Sequence, residues 1–269
     1  MRSVKSRNVL ITGASSGIGK ALSENFARLG ANLFLGCHPA EADILSGWAE
    51  NLEKNYGIRT WTFPVDLAAD NGPDNLREAV RNTGQIIHVL VNNAGIIAYG
   101  DFHTLSLEKQ DKIIRINLLA YLRLMHLFVC EMVAKGEGMV LNVSSVSAFQ
   151  PCAYHAVYGA SKAFIQSLSE AVNQELKGTG VSVHTFNPSF TDTPMLKGKD
   201  FPERIWWFSI SGLSSPEVIA RKGVRAFLKG KSVYIPGARN WFIHCVLSRF
   251  VPRILAGPIS SLVLSVREH

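Results

Sequence analysis

The sequence predicts an α/β fold, a single doubly wound parallel sheet with helices on both faces, and three observations carry that prediction. Apolar runs of strand length alternate with segments of helical period along the chain. A glycine-rich turn stands between the first such strand and the first such helix. The run Ile86–Val91 is almost continuously apolar, as a strand covered on both faces must be.

The elements follow in order. Val9–Ile11 reads as the first strand. Ile18, Leu22, Phe26 and Leu29 recur at helical spacing, and Gly30 is a natural stop. Asn32–Leu35 is a second strand, Glu41–Tyr56 a polar helix, Thr60–Val65 a third strand and Asp74–Asn82 a third helix. After Ile86–Val91 comes a long helix over Leu107–Lys135, apolar on more than one face. A helix of that kind must be covered on two sides, one by the sheet and the other by a second subunit, so a homodimer or homotetramer is expected. Val140–Val143 is the next strand, Tyr158–Leu176 a long helix, Val181–Phe186 a strand, Pro216–Lys229 a helix and Ser232–Ile235 a last strand. No repeat or linker splits residues 1–237, which read as one domain.

Composition narrows the function. The chain has 269 residues, 47% hydrophobic and 18% charged, which excludes a disordered chain. Its formal net charge of +7 is scattered, without a basic run, so nucleic acid is not the expected partner; a phosphate-bearing cofactor is the simpler use of the charge. Cys37, Cys130, Cys152 and Cys245 show neither metal-site nor disulfide spacing, so no metal is expected and a reducing, cytoplasmic setting fits. No signal peptide is read before Val9.

The turn Thr12-Gly13-Ala14-Ser15-Ser16-Gly17-Ile18-Gly19 has its value from its position. Glycines let the backbone turn sharply and approach a diphosphate, and the helix start behind them offers open N–H groups and partial positive charge. Further on, Tyr158 and Lys162 stand four apart on a predicted helix and share a face. An ammonium beside a phenol favours the phenolate. That pairing is expected to bring the tyrosine toward the range for acid–base work. Ser145 ends the strand Val140–Val143, where its hydroxyl can hold a substrate oxygen. Neither it nor Ser144 lies in a Gly-x-Ser-x-Gly elbow, which disfavours a hydrolase.

Three motifs in this order resemble the short-chain dehydrogenase/reductase family: the turn Thr12–Gly19, Asn92-Asn93-Ala94-Gly95 at the end of a buried strand, and Tyr158-Gly159-Ala160-Ser161-Lys162 on a later helix. The resemblance runs from about Asn8 to Gly237 and implies a Rossmann-like fold and a nicotinamide-dependent oxidoreductase. It implies a catalytic set of Asn117, Ser145, Tyr158 and Lys162. Spacing to the tyrosine selects Ser145 over Ser144, and the matching asparagine perturbs its helix and holds a water that links the lysine to solvent. Cofactor contacts are implied for Gly13, Ser15, Ser16, Gly17, Ile18 and Gly19, for His38, for Asp66 and Leu67, and for Asn92, Asn93, Ala94 and Gly95. Tyr158 and Lys162 belong to that set too, with Pro188, Phe190, Thr191 and Thr193 on the nicotinamide carboxamide. Relatives usually carry Pro-Gly where this chain has Pro188-Ser189.

In NAD-preferring relatives an acid just past the second strand binds the ribose. Here Cys37 takes that place, followed by His38 where NADP-preferring relatives often have arginine. NADP is therefore the expected cofactor, with NAD as the alternative. The substrate is expected to be a secondary alcohol or ketone with apolar, steroid-, retinoid- or acyl-like substituents. Phe149, Tyr154, Phe201, Ile205, Trp206, Trp207 and Phe208 read either as its pocket wall or as ordinary core. A catalytically idle dinucleotide-binding regulator is the rival reading. Residues 238–269 form an apolar extension, interrupted by Arg249, Pro252, Arg253 and Pro258, with no run of the ~20 residues a spanning helix needs. It is expected to cover the core, pair with another subunit or lie on a membrane surface, the last making the chain a membrane-associated scaffold.

Overall fold

Seven strands form the sheet at the centre of the computed structural model, which describes residues 2–198, 201–202, 205, 212–247 and 250–265. They are β1 (Asn8–Thr12), β2 (Asn32–Cys37), β3 (Thr60–Pro64), β4 (Val89–Asn92), β5 (Gly138–Val143), β6 (Val181–Phe186) and β7 (Val233–Tyr234), in the order β3-β2-β1-β4-β5-β6-β7. Every pairing is parallel. The edge strands are β3, which ends on Pro64, and β7, only two residues long. A proline lacks a ladder donor, so an edge is where it is tolerated.

Alternation along the strands explains both cores. Val9 and Ile11 of β1 and Leu33 and Leu35 of β2 pack against Leu22 and Phe26 of α1 (Gly17–Arg28) and Leu45 of α2 (Ala42–Tyr56). Leu10 and Phe34, one residue out of step, face the other way with Leu124 and Phe128. Both faces are covered, so neighbouring positions in these strands are all apolar. Helix α1 stops as the sequence predicts: Gly30 takes a left-handed φ of 76° and closes back on Ala27.

The fourth strand starts later than its apolar run. Ile86 is exposed, and its carbonyl accepts from the side chain of Asn8, so the ladder begins only at Val89. Helix α3 (Gly72–Arg81) crosses between β3 and β4. The long predicted helix is present but is not a single α-helix. It comprises α4 (Leu107–Ile114), a π-helical stretch Arg115–Ala120, and α5 (Tyr121–Lys135). Leu107–Lys135 is also, among the described residues, the one helix long and apolar enough to cross a membrane. Leu124, Met125, Phe128 and Met132 pack on the sheet, which makes it a core helix. Its outer side is mixed, with Arg123, His126 and Cys130 exposed beside Leu119 and Val133, so it is not apolar all round.

Helix α6 (Ala156–Glu175) begins two residues before Tyr158. After β6 come α7 (Pro194–Lys197), α8 (Pro216–Leu228), α9 (Ala238–Trp241) with a π-helical continuation Phe242–Leu247, and α10 (Arg253–Leu264).

Candidate active site

The strand order reverses between β1 and β4, and in such sheets a crevice opens at the carboxyl ends of the two strands. Asn93 locks that corner. Its backbone N–H donates to the Thr12 hydroxyl at 2.9 Å, and its amide donates to the carbonyls of Thr12 (2.9 Å) and Gly13 (3.1 Å). The Ala94 N–H also donates to the Thr12 hydroxyl. Thr12, outside the set of contacts implied from the sequence, thus carries two backbone donors. Gly19 must be glycine, since a Cβ there would stand 2.0 Å from the Gly13 carbonyl oxygen.

At the start of α1, Ser16 makes no side-chain cap and the first turn holds no acid. The N–H groups of Gly17, Ile18 and Gly19 are therefore free to face an anion, which fits a diphosphate. Thr193 closes the other side, its methyl 3.2 Å from where a Gly17 Cβ would be. Asn92 does not face this crevice. Its side chain is fully buried, donating to Asn142, which in turn donates to Ser169.

Two carboxylates stand beyond the carboxyl end of β2, where Cys37 and His38 offered none. Glu41 accepts from the Ser15 hydroxyl at 2.7 Å, and Asp66 lies 3.8 Å from His38. Asp66 also accepts from Ala68 N–H, and the His38 ring caps Ala40. Cys37 is buried in the core, its thiol pushed up to about 11 by burial and by Glu41. The signal for Glu41 lay in its place, just before a helix, where a carboxylate is favoured by the helix dipole.

The four residues of the catalytic set converge. Ser145 follows β5, its hydroxyl accepting from Ser147 N–H and reaching the Tyr158 phenol. Ser144 donates instead to the Lys162 carbonyl. The Lys162 ammonium donates to the Val143 carbonyl at 2.9 Å and lies 5.7 Å from the Tyr158 ring. Asn117 sits in the π-helical stretch and is wholly buried. It accepts from Ile96 N–H (2.9 Å) and donates to the Ile96 carbonyl (2.8 Å), holding the strand end that carries Gly95. A Cβ at Gly95 would lie 3.4 Å from the Asn117 oxygen and 3.6 Å from the Lys162 nitrogen.

The electrostatics of the protein alone run against the expectation of a lowered phenol. Burial lifts Tyr158 to about 12, opposed by its hydrogen bond with Ser145, and burial drops Lys162 to about 7. For the phenol, desolvation outweighs the hydrogen bond with Ser145. The phenol stays protonated at neutral pH.

A cavity of about 320 Å³ borders Tyr158, lined among others by Phe102, Ile113, Tyr154, His155 and Ser261. His155, unforeseen in the sequence, is buried with its Nδ1 lacking a partner, and burial drops it to about 4. Phe201 and Ile205 are buried against Ile97, with Tyr99, Tyr158, Phe190 and Leu196 around them. These two aromatic-stretch positions are thus both core and lid over Tyr158, whereas Trp206, Trp207 and Phe208 lie outside the described residues. Thr191 forms a bridge to Ser214. The Pro188 carbonyl accepts from Val146 N–H. Ser189, the departure from Pro-Gly, keeps φ negative and accepts from Asn240 of α9, so the serine costs no strain.

The comparisons agree with this geometry. A family model described as short chain dehydrogenase matches residues 7–203. The chain belongs to that family. It is an oxidoreductase that acts on an alcohol or ketone with a nicotinamide cofactor. It is 31% identical over 204 residues to an uncharacterized oxidoreductase of Staphylococcus epidermidis, covering 76% of this chain and 86% of that one. It is 30% identical over 237 residues to the ketoacyl reductase HetN of Nostoc sp., covering 87% and 79%. Among solved structures, a short-chain dehydrogenase from Sphingobium yanoikuyae in complex with NADPH is similar, with a TM-score of 0.80, 28% identity, and coverage of 97% and 96%.

Proposed function

We propose that this short-chain dehydrogenase reduces an apolar ketone to a secondary alcohol with NADPH. The observation that carries the reading is the Tyr158 phenol, protonated at neutral pH and held against the Ser145 hydroxyl. A protonated phenol is a ready donor to a carbonyl oxygen. Ser145 holds that oxygen, Tyr158 delivers the proton to it, and Lys162, fixed to the end of β5, sits beneath the phenol to steady the phenolate that results. When bound, the dinucleotide supplies the hydride. The open N–H groups of Gly17–Gly19 would hold its diphosphate, and Thr193 and Phe190 border its nicotinamide end.

Cys37 in place of an acid, His38 beside it and the NADPH held by the Sphingobium relative support NADP over NAD. Apolar lining of the cavity beside Tyr158 and the lid residues Phe201 and Ile205 support a substrate with greasy substituents, and the Nostoc relative is a ketoacyl reductase. The test is a panel of apolar ketones and 3-oxoacyl thioesters followed by NADPH and NADH absorbance. Turnover of hydrophilic sugars alone, or with NADH alone, would sink the reading. We also propose a homo-oligomer through the outer sides of the long helix Leu107–Lys135 and of α6, where Leu119 of the π-helical stretch, Val133 of α5 and Phe164 of α6 are exposed; light scattering showing a monomer at micromolar concentration refutes it.

A further inference from the structure

The last helix is amphipathic the wrong way round. In α10, Ile254, Leu255, Pro258, Ile259 and Leu262 share one face, and all are exposed. The opposite face carries Ser260 and Ser261, which reach inward. Ser260 accepts from Ala153 N–H at 3.1 Å, and Ser261 bonds the Tyr154 hydroxyl at 3.2 Å. Leu264 ends the helix with its carbonyl on the Tyr99 hydroxyl. Serines therefore tie the helix to the protein while its isoleucines and leucines face out, Ile254 at 82% and Leu262 at 67% exposure. The preceding segment also exposes Trp241, Phe242, Leu247 and Phe250, the last 78% exposed. So much exposed apolar surface in one stretch of chain marks a docking site.

Charge decides what docks there. Between Glu217 and Glu268 the chain has no acid, and residues 238–269 carry Arg239, Arg249, Arg253 and Arg267. A second copy would bring this arginine-rich, acid-free stretch of sequence against itself, because a two-fold interface is made of the same patch twice. An anionic lipid surface complements it instead. We propose that residues 238–265 are an interfacial anchor that lays α10 into the headgroup region of an anionic bilayer, apolar face down, with the arginines on lipid phosphates. With twelve residues α10 is too short to span and lies in the plane. Ser261 also lines the cavity beside Tyr158, so the anchored face adjoins the place where an apolar substrate would enter.

The test is co-sedimentation of the full chain with vesicles of phosphatidylcholine alone and with one part in three phosphatidylglycerol. The proposal expects pelleting with the anionic vesicles at least about ten-fold stronger than with neutral ones, from ~1 kcal/mol per arginine near the surface. It also expects that preference to fall as salt rises. Ile254→Glu/Leu262→Glu should abolish pelleting with an unchanged melting temperature, since both side chains are exposed. Arg239→Glu/Arg253→Glu leaves the apolar face intact and should remove only the preference for anionic lipid. Supernatant protein with both vesicles overturns the proposal. So does light scattering in which Ile254→Glu/Leu262→Glu turns an oligomer into a monomer, which would assign the face to a second copy.

Discussion

The ammonium of Lys162 is bonded to the carbonyl of Val143, the last residue of the strand that Ser145 follows. The lysine and the serine are thus referenced to one strand end, and Tyr158, one turn back on α6, is set between them.

Removing the phenol tests the chemistry. Tyr158→Phe should lower turnover by ~10²–10⁴, the usual contribution of a general acid, while the dinucleotide still binds. Activity within about three-fold of the unaltered enzyme would take Tyr158 out of the mechanism. Lys162→Met should lose turnover as well.

Asn117 makes two hydrogen bonds to the Ile96 backbone. Asn117→Leu leaves that part-buried N–H and C=O without their side-chain partner, so unfolding should become easier by about 1–3 kcal/mol in urea titration. A loss below ~0.5 kcal/mol would show that the π-helical stretch holds without it.

Cofactor choice should respond to Glu41. Its carboxylate takes the Ser15 hydroxyl and places negative charge beside the phosphate turn. Glu41→Gln should raise the NADPH over NADH ratio of kcat/KM, and His38→Ala should lower it, at one pH and salt. A ratio that does not move in either variant would place the ribose phosphate elsewhere.

Stability should fall on the acid side through His155. Its folded pKa, about 4, is below the ordinary histidine value of 6.5, so the unfolded chain binds the extra proton between those pH values. Stability is then full above pH 6.5 and declines as pH falls toward 4, by roughly 2–3 kcal/mol from this group. His155→Leu should flatten that limb in melts taken across it, and should not destabilise at pH 7, because the Nδ1 it removes is buried and unpartnered. Parallel melting curves for both proteins would contradict the assignment.

The fold was readable because β1, β2 and β4 carry continuous apolar triplets, Val9–Ile11, Leu33–Leu35 and Val89–Val91, and α1 carries apolar residues at helical spacing; two-sided burial writes itself into composition. Ser145, Tyr158 and Lys162 were readable because each stands at a fixed place on a strand end or helix face. The resemblance implied a perturbed helix at Asn117 but not its π-helical form over Arg115–Ala120, where Asn117 bonds the backbone of Ile96, distant in sequence. Glu41 carried a local signal, its place before a helix, but its partner Ser15 is distant in sequence, and His155 carried none, since its character comes from burial. The exposed face of α10 showed only as apolar content, because periodicity says that a helix has two faces and not which one the protein keeps.

The two rims of the sheet limit how copies of this chain can meet. Pro64 removes a donor at the end of β3, and β7 offers the backbone of two residues. Neither rim presents the row of open amides that lets a strand from another molecule add on, which is also the usual first step toward fibrous aggregates. The short β7 and the proline closing β3 thus guard the sheet against edge-to-edge growth.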